Sequence, residues 1–348
     1  MRVWHVSVSG SAVAERFGVA GRIRILSIDG GGIRGIVPAV ILAEIEERTG
    51  RPVWELFDLI AGTSTGGILA LGLTVPGAEG GPRYAARDLV ELYERNGREI
   101  FSRSLWHKVY ALGNLLEEKY PAESLEKILQ EYFGQARLRD ALTEVLVTSY
   151  EIERRTPFFF KSRRARESED HDFLMRQVAR ATSAAPTYFE PSKIEQGPSD
   201  YYALVDGGVF ANNPAMCAYV EARTYAETDT AGFPRGADFL ALSLGTGELI
   251  RRLPYEEAKD WGIALWAQPI LDVVFDGVSD TVDYQMRELL PEKDSERRYY
   301  RFQQRLEEGN DDLDDASPAN IRALKLLAQE IVTNNEAELD TLCGQLTR

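Results

Sequence analysis

Cysteine is scarce: Cys217 and Cys343 are too few for a disulfide framework in a chain of 348 residues, and no Cys-x-x-Cys or Cys/His cluster offers zinc-ligand spacing. That usage fits a reducing compartment. Histidine is nearly as rare, with His5, His107 and His171 the whole supply. No stretch approaches the ~20 apolar residues that a membrane-spanning helix needs. Residues 1–20 scatter Arg2, His5, Ser7, Ser9, Glu15 and Arg16 among short apolar pairs, without the roughly 7–15-residue apolar core of a secretory signal. The expectation is a cytoplasmic protein that meets membrane peripherally, from the water side. Basic residues are outnumbered too, 40 Lys and Arg against 55 Asp and Glu, and the resulting charge of -15 opposes general binding to nucleic acid or anionic membrane.

What remains is an ordinary globular composition, 44% hydrophobic and 27% charged, in a chain that can bury one large core. The segment Arg24–Ile28 is short, apolar and β-prone, and a glycine cluster follows it. A helix then starts with Pro38 in its first turn and runs through Val37, Val40, Ile41 and Ile45 to Gly50, a C-cap. Phe57–Ala61 reads as a second strand, completing a βαβ unit of the kind that builds parallel sheets covered by helices. Further strands are expected at Glu144–Tyr150, Phe158–Phe160, Tyr202–Val205 and Phe239–Leu244. The fold class is therefore α/β with a mainly parallel sheet, organised as one domain over 22–348 behind an N-terminal arm at 1–21. Asp311–Asp315 lacks the spacing of a calcium loop and reads as a solvated helix entry, with Ser317 as N-cap and Pro318 at the first helical position.

The chemistry concentrates at three glycine-bearing strand ends. Gly62-Thr63-Ser64-Thr65-Gly66 lies between the second strand and a buried apolar helix, the context of a nucleophile elbow. Flanking glycines permit the cramped turn that exposes a serine hydroxyl, and the helix beginning at Thr65 adds oriented N–H groups beside it. Asp29-Gly30-Gly31-Gly32-Ile33-Arg34-Gly35 closes the first strand, so several N–H groups converge where an oxyanion would sit. Arg34 either assists that loop or anchors the helix start to a carboxylate; both readings stay open. The same string satisfies Gly-x-Gly-x-x-Gly, so a non-hydrolytic dinucleotide-binding module is a rival. Against it, the second strand leads straight into Ser64 rather than ending in a ribose-binding acid, and Asp29 would stand near the pyrophosphate.

A serine needs a base, and none of the three histidines lies in a glycine-rich strand-end turn. Asp206-Gly207-Gly208 does, at the end of Tyr202–Val205, and in an open α/β sheet Gly30, Ser64 and Asp206 would meet at the carboxyl ends of the strands.

In this order and context, Asp-Gly-Gly-Gly-x-x-Gly, Gly-x-Ser-x-Gly and Asp-Gly-Gly resemble the patatin-like phospholipase family. Also similar are Ala181–Phe189 and Asn212-Asn213-Pro214. The resemblance spans roughly residues 22–335. It implies a three-layer α/β/α fold and calcium-independent hydrolysis of membrane-lipid esters without a cofactor. Ser64 would be the nucleophile, Asp206 its only partner, and Gly30, Gly31 and Gly32 the oxyanion hole, with Arg34 in the place of that loop's arginine.

Three segments bear on partners. Phe101, Leu105, Val109, Leu112 and Leu116, with Trp106 and Tyr110, form an amphipathic stretch that is either a lid or interfacial face or a packed helix. Trp261–Trp266 and Ile270–Phe275 are read first as core, with an interfacial role as the alternative. Lys161–Arg166 is a dense basic cluster, read as a solvated loop; its alternative is a site for lipid phosphate or a regulatory nucleotide. Some bacterial relatives resemble effectors gated by cyclic dinucleotides in antiphage defence, which makes such an activator the second reading of the biological role.

Overall fold

The computed structural model describes residues 21–101, 122–186, 188–197, 200–228, 232–248, 253–266, 269–306 and 314–348. Residues 1–20 of the expected arm and 102–121 of the amphipathic stretch lie outside them. Eight strands form one sheet: β1 (Arg22–Ile28), β2 (Leu59–Thr63), β3 (Glu144–Glu151), β4 (Thr156–Lys161), β5 (Ser192–Glu195), β6 (Tyr201–Asp206), β7 (Asp238–Leu244) and β8 (Tyr299–Phe302). Their order is β5-β6-β3-β2-β1-β7-β8, with β4 pairing β3 outside this path. The run β3-β2-β1-β7-β8 is parallel, while β4 and β6 join β3, and β5 joins β6, antiparallel.

Strand alternation divides the core. Leu26 and Ile28 of β1, Ile60 of β2 and Leu242 of β7 belong to one buried cluster. It also takes in residues of α1 (Ile36–Thr49), α2 (Thr65–Thr74), α3 (Ala86–Phe101), α4 (Ala122–Phe133) and α5 (Met175–Thr182). Their neighbours Ile23, Ile25, Leu59 and Ala241 point the other way, against α6 (Ala215–Thr228) and Met286 of α7 (Pro269–Leu289). Two C-terminal helices, α8 (Pro318–Asn334) and α9 (Glu336–Leu346), complete the first face through Leu324 and Leu339. The result is the expected three-layer α/β/α arrangement.

Local signals acted as expected at several ends. Gly50 ends α1 in the left-handed region at φ 64, and its N–H donates to Glu46 O at 2.9 Å. Ser317 Oγ caps α8 by accepting from Asn320 N, with Pro318 following. The second strand starts at Leu59, two residues later than predicted. Asp58 is occupied instead as a buried acceptor for the Arg24 backbone N–H at 2.8 Å and for its guanidinium.

One register positions the site. Residues 146–148 of β3 pair with both β2 and β4, which places those strands on opposite edges of β3. Residues 149–151 pair with both β4 and β6, so β6 shares the edge used by β2. β2 runs with β3 and ends with Thr63 opposite Thr148; β6 runs against β3 and ends with Asp206 opposite Ser149. The two strands meet head on at adjacent rungs. Asp206 thus reaches the site at the carboxyl end of its strand, as expected, although that strand runs antiparallel to β3 in a sheet that is mainly parallel.

Two helical glycines carry opposite loads. A Cβ on Gly66 would stand 2.2 Å from the main-chain Ile28 O, whereas one on Gly277, on the exposed side of α7, meets nothing within 4 Å. Gly66→Ala is expected to destabilise by about 1–3 kcal/mol or more through overpacking. Gly277→Ala should stabilise by about 0.5–1 kcal/mol by raising helix propensity. Chemical denaturation of the two variants checks both signs.

Candidate active site

Ser64 occupies the turn between β2 and α2 with φ 55 and ψ -122, a left-handed conformation that costs a residue bearing a Cβ about 1–3 kcal/mol. The surroundings enforce it. Ser64 N donates to Thr182 Oγ1 at 2.8 Å, Thr182 Oγ1 donates to Thr148 O at 2.7 Å, and Thr63 Oγ1 donates to Ala211 O at 2.6 Å. A Cβ on Gly62 would fall 2.1 Å from Gly66 O, so these two predicted elbow glycines permit main chain to touch main chain. All ten residues of α2 are buried, which fixes the turn from the helix side.

Asp206 is 2% exposed. Its Oδ1 accepts from Gly208 N at 2.7 Å, and the Ser64 hydroxyl hydrogen-bonds to the carboxyl. Burial pushes its pKa from 3.8 up to about 7, while the Ser64 and Gly208 hydrogen bonds pull in the opposite direction. A carboxyl of this kind accepts a proton near neutrality far more readily than a free aspartate.

The glycine loop divides by role. Gly31, Gly32 and Thr65 line the cleft with Ser64 and Asp206. Each lies at the start of a helical segment, where an N–H has no preceding carbonyl within the helix to receive it. Gly30 lies beside them, with its Cβ position 3.3 Å from Ser64 Cβ, but its N–H donates to Asn212 O at 3.0 Å. Gly30 therefore supplies close approach rather than a donor, a correction to its expected place among the oxyanion groups. Arg34 is buried behind the loop, with Nε 3.4 Å from Gly31 O and Nη1 3.4 Å from Gly247 O. It braces the loop and does not line the cleft.

These positions also weigh on the dinucleotide alternative. The space beside Gly30 and Gly31 holds the Asn212 and Thr246 side chains, at 2.4 and 2.2 Å from where a Cβ would stand. Asp29 turns away into a buried ion pair with Arg301 at 2.7 Å. The loop glycines thus admit neighbouring protein rather than a pyrophosphate.

The cleft, about 50 Å³ and partly open to solvent, has a polar end and an apolar end. Ser64, Asp206, Asn212 and the glycine loop form the first; Ile68, Leu92, Ile100, Leu125 and Phe189 form the second. Tyr93 joins them, its hydroxyl hydrogen-bonded to Thr65 Oγ1. Sequence reasoning gave no role to Thr182, Asn212, Thr246 or Arg301. The first two lie in segments quoted for their resemblance, but Thr246 and Arg301 carry no local pattern that marks them.

The other singled-out residues fall elsewhere. His171 sits on the turn Glu169–His171 and does not line the cleft, while His5 and His107 lie outside the described residues. The basic cluster forms the short helix Ser162–Glu167 rather than a loop, and Lys161, Arg163 and Arg166 pair with Glu221, Glu167 and Glu144. The expectation of a core role for the second apolar region needs correction. Leu265, Ile270 and Val273 are 61%, 43% and 47% exposed, while Phe275 reaches the cleft. Among the described residues no cluster of His, Cys, Asp and Glu is placed to hold a metal ion, and no helix is long and apolar enough to cross a membrane.

Fold and cleft together place Ser64 and Asp206 at the carboxyl ends of two strands of one α/β sheet. Residues 26–219 match the patatin-like phospholipase family, and the chain belongs to it. It is 33% identical over 335 residues to probable inactive patatin-3-Kuras 1 of Solanum tuberosum, covering 91% of this chain and 88% of that protein. Patatin-like protein 4 of Arabidopsis thaliana is 34% identical over 344 residues, with 92% and 86% covered. Patatin-T5 of Solanum tuberosum is 33% identical over 334 residues, with 89% and 83% covered.

The raised pKa of Asp206 carries a stability signature. The folded state binds this proton more tightly than the unfolded chain. The carboxyl therefore favours folding most below its unfolded value near 3.8, and that contribution is lost as pH rises through about 7. Asp206→Asn is accordingly expected to melt at higher temperature than wild type at pH 8, the advantage disappearing by pH about 4. Melting curves across that range check the sign.

Proposed function

We propose that the protein is a lipid acyl hydrolase in which Ser64 attacks the ester carbonyl and Asp206 is its base. The carrying observation is the pairing of a hydroxyl on a strained turn with a buried carboxyl of raised pKa, at the polar end of an apolar cleft. Family membership supports lipid acyl hydrolysis in general.

In the proposed first step Asp206 takes the Ser64 proton as Oγ bonds to the carbonyl carbon, and the Gly31, Gly32 and Thr65 N–H groups receive the oxyanion. As the intermediate collapses, the carbon–oxygen bond to the alcohol breaks and Asp206 returns the proton to that oxygen. Water, deprotonated by Asp206, then attacks the acyl-enzyme; the bond from the acyl carbon to Ser64 Oγ breaks, Asp206 returns the proton to Oγ, and the fatty acid leaves. The acyl chain extends over Ile68, Leu92, Ile100 and Leu125, an apolar lining that no water-soluble ester requires.

Access from a lipid surface follows from the exposed face of α7 and the turn before it. Ile270 and Val273 are spaced three apart on one side of the helix and Leu265 precedes them, while Phe275, on the opposite side of the same helix, lines the cleft. The net charge of -15 favours zwitterionic over anionic lipid.

Ser64→Ala and Asp206→Asn are each expected to lower ester turnover by at least about a thousandfold with folding retained. Ester release and fluorophosphonate labelling check this, and near-normal turnover in either variant overturns the assignment. Replacing Leu265, Ile270 and Val273 together by Ser should reduce flotation with phosphatidylcholine vesicles while leaving hydrolysis of a short soluble ester intact. Unchanged flotation discards this face as the lipid contact.

A further inference from the structure

Ser183 follows α5, and its hydroxyl is chemically out of place. The residue is 8% exposed, and its Oγ has no hydrogen-bond partner among the described residues, yet it lines the cleft. Native proteins satisfy nearly all buried polar atoms, and an exception in a ligand cleft marks a group whose partner arrives with the ligand. Ala184 and Ala185 follow immediately, so a methyl group at this position would fit the local composition without leaving a hydroxyl unsatisfied.

The placement says which atom it meets. Thr182, on one side, accepts the Ser64 N–H at 2.8 Å; Ala184, on the other, accepts the Asp206 N–H at 3.0 Å through its carbonyl. Ser183 is thus carried by the short stretch of chain that grips both partners at their backbones. In the proposed reaction the carbonyl oxygen of the ester faces the Gly31, Gly32 and Thr65 N–H groups. The other ester oxygen, the one that leaves, faces Asp206, which must protonate it.

We infer that Ser183 is a further catalytic residue, its hydroxyl donating a hydrogen bond to the leaving oxygen of the ester. The inference rests on the proposed Ser64 and Asp206 chemistry. Ser183 transfers no proton: Asp206 still delivers the one it took from Ser64, while the Ser183 hydrogen bond offsets negative charge on the departing oxygen as the carbon–oxygen bond breaks.

The test compares Ser183→Ala with wild type on an oxygen ester and on the thioester with the same acyl chain, since a thiolate sulfur is a weak acceptor. The expected result is a fall in kcat/KM of about tenfold on the oxygen ester, little change on the thioester, and a melting temperature equal to or above wild type. Unchanged kinetics on both substrates overturns the inference. An equal loss on both, with lower melting temperature, also overturns it by reducing Ser183 to a structural residue. Failure of wild type itself to cleave esters or to label with a fluorophosphonate is a separate result, which removes the Ser64 reading and this inference with it.

Discussion

The site depends on two strands that share one edge of a third and run into each other. β2 and β6 use successive rungs of β3, Thr148 and Ser149, from opposite directions. Neither can extend past the meeting point, so both chains must leave the sheet there. The residue at one departure is Ser64 and the residue at the other is Asp206. Residues 142 positions apart are brought to hydrogen-bonding distance by strand register, with no dedicated contact between them required. Threonine hydroxyls fix the end of β2 to β3 at the junction: Thr63 Oγ1 and Thr148 Oγ1 are 2.6 Å apart.

Both groups are held in states that an isolated chain avoids. Ser64 is in the left-handed region, and Asp206 is removed from water with no cation among the influences on its pKa. Such costs are sustained only where the surroundings leave no alternative conformation. Here the surroundings are a sheet buried on both faces, a fully buried α2, and the chain segment 182–184 that holds the two backbones. The buried Asp29–Arg301 pair acts similarly behind the glycine loop, since Arg301 also donates to Ser243 Oγ on the adjacent strand. The three layers thus serve as the rigid frame for one strained turn and one neutralisable acid.

Much of this was legible in sequence because it is written locally. The short apolar, β-prone run Arg24–Ile28, the capping at Gly50 and Ser317, and the glycines around Ser64 are each short-range signals with one structural solution. β5 and β8 escaped notice because each is only four residues long, and Ser192–Glu195 besides mixes lysine and glutamate with a single isoleucine. The direction of β6 was equally hidden, since the residues of a strand do not state which neighbour it joins. Gly30 shows the same limit at the site. Its sequence context is that of an oxyanion glycine, but only the fold reveals that Asn212 O already receives its N–H. The exposure of Leu265, Ile270 and Val273 also lay beyond composition, because an apolar run reads alike whether it faces a core or a lipid surface.

In the proposed mechanism, burial beside Ser64 makes Asp206 a base near neutrality. The most direct measurement is the rate at which a fluorophosphonate labels Ser64 as pH is varied, in wild type and in Asp206→Asn. The expected wild-type rate rises with pH around a midpoint of about 7, and the variant is slow and lacks that midpoint. A wild-type midpoint near 4, or the same profile in both proteins, would contradict that mechanism.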